Sequence, residues 1–274
     1  MQIDFSPIIN FWESIPPEVQ VAFGRYLAAM ILLVALLIVS KWQRIRIQRS
    51  LIIGTVRGTI QIILMGLILV YIFNLQELWI MFCVLAFMGV FAAYTTAGNL
   101  KKLPGVFKAS LPGILLGSLS VMTVSVLLGV VEPVGEFVIP MGGMVIGNSM
   151  NMSSLVIDRM WSNAQKQRGL LETALALGAT PLQATEMTIT ESIETGFLPN
   201  LNRYAALGIV TIPGLMSGMI IGGANPIEAS LFQVIVFIMI FLSAIIAGLI
   251  GSRMFLKEMF NNRLQLTVPP PKSK

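Results

Sequence analysis

The sequence predicts an all-α integral membrane protein of about seven transmembrane helices, with its N-terminus outside and its C-terminus cytoplasmic. Three observations predict it. Of 274 residues, 55% are hydrophobic and only 11% charged, at a mean hydropathy of +0.83, whereas soluble domains carry about a quarter charged residues. Several runs reach the roughly 18–20 apolar residues needed to cross a bilayer core. Basic residues fall in every second loop, which is how cytoplasmic loops are marked.

The spans follow in order. The first covers about 24–40, the second 52–73, the third 78–98, the fourth 110–131 and the fifth 137–157. The sixth covers about 204–222 and the seventh 229–251. Lys41, Arg44, Arg46 and Arg49 follow the first span, and Lys101, Lys102 and Lys108 the third. Arg159, Lys166, Arg168 and Arg203 follow the fifth, and Arg253, Lys257, Arg263, Lys272 and Lys274 the seventh. The remaining loops hold Glu77, Glu132, Glu136 and Glu228 and no Lys or Arg. Only an odd number of spans satisfies this alternation. Residues 1–23 are then an external segment, 24–257 one transmembrane domain, and 258–274 a cytoplasmic tail whose end, "TVPPPKSK", reads as disordered. Asp4, Glu13 and Glu18 stand where a cleavable signal carries positive charge. Trp42 and Trp161 fall near inner ends, and Tyr26, Tyr71 and Trp79 near outer ends, as an interfacial belt requires.

Glycines recur four apart at Gly54 and Gly58, Gly113 and Gly117, Gly143 and Gly147, and Gly218 and Gly222. Such pairs let helix backbones approach closely in lipid, within a bundle or at a dimer face.

Composition also excludes functions. The single cysteine, Cys83, allows no internal disulfide. No histidine is present, which removes the usual near-neutral acid–base group. No nucleophile–base arrangement is visible, so an enzyme is not expected. The net charge of +5 is accounted for by loop anchoring to a lipid bilayer, and no nucleic acid partner is implied. The chain has no Gly-Lys dipeptide, so the phosphate loop of an ATPase cannot be built. No cofactor is expected in this chain.

The loop of about 158–203 is the long one. Within it, Glu172 to Leu177 is strong helix-forming sequence, and Gly178 suits the left-handed residue that closes a helix. Thr180 reads as an N-cap, Pro181 as the first helical residue, and Gln183 as the partner in a capping box. A second helix follows, with Leu182, Met187, Ile189 and Ile193 as its apolar residues, and Pro199 marks its end. The loop is thus a helix, a tight turn and a helix between the fifth and sixth spans. It either merely connects them or docks a cytoplasmic partner.

"ETALALGATPLQA" (172–184) resembles the coupling loop of ABC-transporter permeases, whose Glu-x-Ala, three residues, Gly pattern falls here on Glu172, Ala174 and Gly178. The Leu-Pro that follows in that superfamily is displaced to Leu198 and Pro199. "GTVRGTIQIILMG" (54–66), "IPMGGMVIGNSMN" (139–151), "LALGATPLQA" (175–184) and "GLMSGMIIGGANPIEA" (214–229) occur in the order found in one permease family. This is the Fet-type family, UPF0014-like, implicated in bacterial iron efflux, with plant relatives tied to aluminium tolerance. Arg168 and the stretch "TESIETGFLPNLN" depart from that family's pattern. The resemblance implies a permease in the cell membrane, paired as a homodimer with two separate ABC ATPase subunits that hold the ATP. Glu172, Ala174, Leu177, Gly178 and Ala179 would contact the ATPase, and iron or a related metal ion or complex would be exported.

Candidates for the pathway are polar groups within spans, because such groups are costly in a bilayer. Arg57 and Gln61 share one helix face; they line an inward-facing cavity, or Arg57 snorkels to the interface. Span five carries Pro140, Gly142, Gly143 and Gly147, the polar Asn148, Ser149 and Asn151, and the thioethers of Met144 and Met150. Broken helices with polar groups at mid-membrane are where transporters place substrate. The alternative is that Asn bonds a neighbouring helix and Met fills the core. Thr95, Thr96 and Asn99 end the third span. Pro213 and Gly214 make either a hinge or a packing kink in the sixth. With no histidine and no carboxylate within the spans, the metal ligands are unknown, and a path for a hydrated or chelated cation is expected. Two other functions stand beside this one. An ABC permease for an organic solute, an exporter or an importer, fits the same loop. A seven-span receptor or light-driven protein would lack a retinal Schiff base, since span seven has no lysine.

Overall fold

A computed structural model describes residues 16–45, 47–73, 77–261 and 263–270. Among them nine helices form and no strand longer than an isolated bridge. They are α1 (Pro17–Trp42), α2 (Gln48–Phe73), α3 (Leu78–Asn99), α4 (Val106–Leu127), α5 (Gly135–Lys166), α6 (Arg168–Ala176), α7 (Pro181–Ala205), α8 (Gly214–Ile221) and α9 (Pro226–Met259). The chain divides into two units, 1–70 and 71–274. Five helices, α1, α2, α3, α4 and α9, are long and apolar enough to cross a membrane. They coincide with the expected spans one, two, three, four and seven.

The first unit is an antiparallel pair. Pro17 opens α1, where a missing N–H costs nothing. After Trp42 the chain reverses through Arg44, which takes a left-handed φ of +56°, while Ile45 N–H donates to Ser40 O at 2.9 Å. The hydroxyls of Tyr26 and Thr59 lie 3.0 Å apart and link the two helices. Arg46 lies outside the described residues.

In the second unit α9 packs along α4 and α5, and α3 covers both of those. Small residues set the closest approach. A methyl group added at Gly113 would stand 2.6 Å from the Ala247 carbonyl oxygen, and one at Gly117 would stand 2.8 Å from that of Ser243. The α4 and α9 backbones therefore touch through this glycine pair. The other pairs make no such backbone contact within the chain: a methyl added at Gly54, Gly58, Gly147 or Gly218 would meet nothing within 4 Å, and one at Gly143 would meet only the Met88 side chain.

Two expectations about the last third of the chain are corrected. The sixth span is not one helix over 204–222. The helix that starts at Pro181 runs through Pro199 to Ala205, then breaks over 206–213 and resumes as the eight-residue α8. Pro199 removes one backbone bond, but packing holds the helix across it: a methyl at Gly196 would meet Val156 of α5 at 3.1 Å, and Asn200 is buried. The break has a local cause. Gly208 takes a φ of +80°. Ile209, Val210, Thr211 and Ile212 are all β-branched and lose rotamer freedom in a helix, and Pro213 ends the stretch with no N–H to give. Hydropathy registers this segment as apolar and is blind to its helix-breaking residues.

The second correction concerns the tail. Residues 263–270 are described and fold back: Thr267 N–H donates to Met259 O at 2.9 Å, and Phe260 bridges Leu266. Leu266 and Val268 are buried in a core cluster with Met160, Leu171, Phe255 and Met259. Residues 271–274 lie outside the described residues. The expected fifth span lies within a 32-residue helix, α5, which continues without interruption past Pro140. It is longer than a bilayer crossing of about 20 residues, but it is not among the five helices both long and apolar enough to make one.

Candidate functional site

The α6–α7 hairpin is built as local sequence chemistry dictates. Gly178, with φ +92°, makes the turn. The Thr180 hydroxyl accepts from Gln183 N–H at 3.3 Å, and Thr180 N–H donates to the Gln183 side-chain oxygen at 2.9 Å. This reciprocal pair satisfies two donors that the start of α7 would otherwise leave open. Leu177 stands at the tip with 83% of its surface exposed. Glu172 and Gly178 are exposed beside it, and Ala174 and Ala179 are half-buried. All five expected contact residues are therefore at or next to one tip.

That tip is braced from two sides. Arg168 Nε donates to Glu172 Oε1 at 2.7 Å, and its Nη1 donates to the Val268 carbonyl at 2.8 Å. Arg168, Glu172 and Leu175 on one side and Arg263, Gln265 and Leu266 on the other line an open groove of about 730 Å³. The C-terminal segment is a part of this surface that sequence reasoning missed, because its proline run reads as a free end.

Further along, α7 lies antiparallel on α5. Three contacts mark the seam: Thr188 Oγ1 donates to Gln167 Oε1 at 2.9 Å, Gly196 packs on Val156, and Arg203 Nη1 donates to Asn148 Oδ1 at 3.5 Å. Arg203 therefore does not sit with Lys166 and Arg168, as the charge count along the loop implied. It stands at the opposite end of α7, about 33 Å from Pro181 at 1.5 Å per residue.

Arg203 and Asn148 face a cavity of about 220 Å³ where α7 breaks. Met144, Gln233 of α9, and Pro213, Gly214 and Leu215 at the start of α8 also line it. Asn148 is oriented by its own helix, donating from Nδ2 to Met144 O at 2.8 Å. Of the expected pathway residues, the cavity brings together Met144 and Asn148. Ser149 points the other way, buried in a hydroxyl pair with Ser243 at 2.5 Å. Asn151 is exposed one turn further along α5, and Met150 is half-buried; neither lines the cavity. Arg57 and Gln61 are exposed on α2, in the first unit. Thr95 and Thr96 hydroxyls donate to Phe91 O and Ala92 O, one turn back on α3.

Gln233 was missed as well, although a visible signal exists: it is the only amide in the apolar run from Ala229 to Ser252, where such groups are costly. Among the described residues, no three His, Cys, Asp or Glu side chains cluster so as to hold a metal ion.

A family model described as "Uncharacterised protein family (UPF0014)" matches residues 23–260. The chain is 29% identical over 248 residues to "Probable iron export permease protein FetB" of Escherichia coli, covering 90% of this chain and 95% of that protein. It is 32% identical over 241 residues to "Protein ALUMINUM SENSITIVE 3" of Arabidopsis thaliana, covering 87% and 88%. It is 30% identical over 238 residues to "UPF0014 membrane protein YjkA" of Bacillus subtilis, covering 86% and 95%. No solved structure matches the chain significantly. Together with the five apolar helices, these similarities make it a multi-pass membrane protein.

Proposed function

The chain belongs to the UPF0014 family, and on that premise we propose that it is the membrane-spanning permease subunit of an ATP-driven ABC exporter. Its cargo is iron or a related metal ion or complex, and its ATPase is a separate chain. The name of the Escherichia coli relative supports export of iron. One observation supports the ABC reading most strongly: the α6–α7 hairpin presents the exposed Leu177 and Glu172 at a capped, braced tip.

In this reading the tip is the coupling element. It seats in a groove of the ATPase, and closure of two ATPases on ATP moves the tips of two permease copies. The capped start of α7 leads into one helix of 25 residues, so displacement at the tip is carried to Arg203 and the cavity. The broken segment, with α7 leading into 206–213 and α8, makes the sixth crossing. Seven crossings then place the N-terminus outside and the C-terminus in the cytoplasm. A discontinuous helix with a polar cavity at its break is the architecture in which secondary transporters hold substrate, and the same physical logic serves here.

Co-purification with the ATPase tests the proposal. Leu177→Asp is expected to abolish association while the permease remains folded, and Gly178→Pro, which cannot take the φ of +92° that the turn requires, is expected to abolish it by opening the hairpin. Association retained in both variants would remove the coupling role.

A further inference from the structure

The cavity at the α7–α8 break presents donors. Among the described residues that line it, Arg203 is the only charged one. The first backbone bond of α8 runs from Ser217 N–H to Pro213 O at 3.0 Å, and no side chain caps that end. The N–H groups of Gly214 and Leu215, which both line the cavity, therefore have no helical partner. A helix start of this kind favours negative charge. An independent feature points to a ligand. Gln233 is only 6% exposed, it lines the cavity, and its Oε1 is buried with no hydrogen-bond partner. A buried acceptor left unpaired is costly unless a hydroxyl or N–H arrives to satisfy it.

A bare metal cation is disfavoured beside the positive charge of the Arg203 guanidinium. Met144, Asn148 and Gln233 offer it one thioether and two amides, and no carboxylate is among the described residues on the wall. The cavity, about 220 Å³, is smaller than the roughly 300–1,000 Å³ that drug-sized ligands occupy, so it takes a small solute or one end of a larger one.

We propose that Arg203, Asn148, Gln233 and the start of α8 form a binding site for an oxyanion bearing a neighbouring hydroxyl, such as a hydroxycarboxylate. The oxyanion is carried free or as the ligand shell of a metal chelate. The carboxylate meets Arg203 and the N–H groups of α8, and the hydroxyl pairs with the Gln233 side-chain amide. As a statement about cargo this rests on the permease reading: the metal leaves as an anionic complex. As a statement about binding it stands without the ATPase.

The test uses the full chain in lipid nanodiscs, without ATPase, and isothermal titration with citrate, ferric citrate and ferrous ion. Saturable binding of citrate or ferric citrate is expected, and preference between them identifies the free anion or the chelate as the source. Losing one charge-assisted partner is expected to weaken binding about tenfold or more in Arg203→Gln. Arg203→Lys should retain most of it, and the isosteric Asn148→Asp should abolish it by placing a second negative charge at the site. Melting temperatures identify variants that fail to fold. Binding of ferrous ion alone, or anion binding unchanged in both Arg203→Gln and Asn148→Asp, overturns the proposal. Anion binding intact in a chain that associates with no ATPase leaves this site standing and removes the permease reading instead.

Discussion

Arg168 holds Glu172 and the Val268 carbonyl at once, at 2.7 and 2.8 Å. One guanidinium thus ties the coupling candidate α6 to a segment 100 residues further on. The two bonds differ in weight. The Glu172 carboxylate is half-exposed, and such i,i+4 pairs contribute about 0.3–0.5 kcal/mol. The bond to Val268 anchors a fully buried residue, and a charged donor to a carbonyl contributes about 1.5–3 kcal/mol. Glu172→Gln is therefore expected to leave stability nearly unchanged. Arg168→Ala is expected to cost at least about 1 kcal/mol and to speed hydrogen exchange at 264–268. Equal effects of the two substitutions would contradict this division.

The capping box at Thr180 has a defined cost of removal. Thr180→Ala deletes the acceptor for Gln183 N–H and is expected to destabilise α7 by about 1 kcal/mol. Fraying should be confined to its first turn, read as faster exchange at 183–184 with 196–205 unaffected. Thr180→Asp keeps an acceptor at the helix start and should restore protection.

The α4–α9 contact admits no added volume. Gly113→Ala places a methyl 2.6 Å from the Ala247 carbonyl oxygen, which backbone on both sides prevents from yielding cheaply. A loss of about 1–3 kcal/mol is expected. Gly54→Ala meets nothing within 4 Å and is expected to be neutral or slightly stabilising, since alanine is the better helix former. Comparing melting temperatures of the two variants in one detergent checks the contrast.

Ser149 and Ser243 form a buried hydroxyl pair between α5 and α9. Truncating either to Ala strands the other, at a cost of about 0.6 kcal/mol and up to about 1.7 kcal/mol within a membrane. The double variant is expected to lose less than the sum of the singles, because no unpaired hydroxyl remains. Additive losses would show that the pair is not coupled.

What sequence disclosed and what it hid divide along physical lines. The turn at Gly178 and the cap at Thr180 and Gln183 were legible because their determinants lie within six residues of one another. Five membrane helices were legible because length and apolarity suffice to specify them. Pro199 misled, since the helix around it packs against α5 through Gly196 and Val156 and buries Asn200. Arg203 misled for a related reason: counting charges by loop placed it with Lys166, while the continuous α7 carries it away to Asn148. The β-branched run 209–212 did carry the signal for a break, but a hydropathy window averages that signal away. The burial of Val268 depends on Arg168, 100 residues away, so no local pattern announced it.

The central claim is that an ATPase works this chain through the tip at Leu177. The most direct measurement is ATP-dependent movement of ferric citrate in proteoliposomes containing the permease and its ATPase, with wild type compared with Leu177→Asp. Export from the ATPase-facing side is expected in wild type, and loss of both transport and stimulated ATP hydrolysis in the variant, with citrate binding at Arg203 preserved. Transport undiminished in a folded Leu177→Asp protein would contradict it.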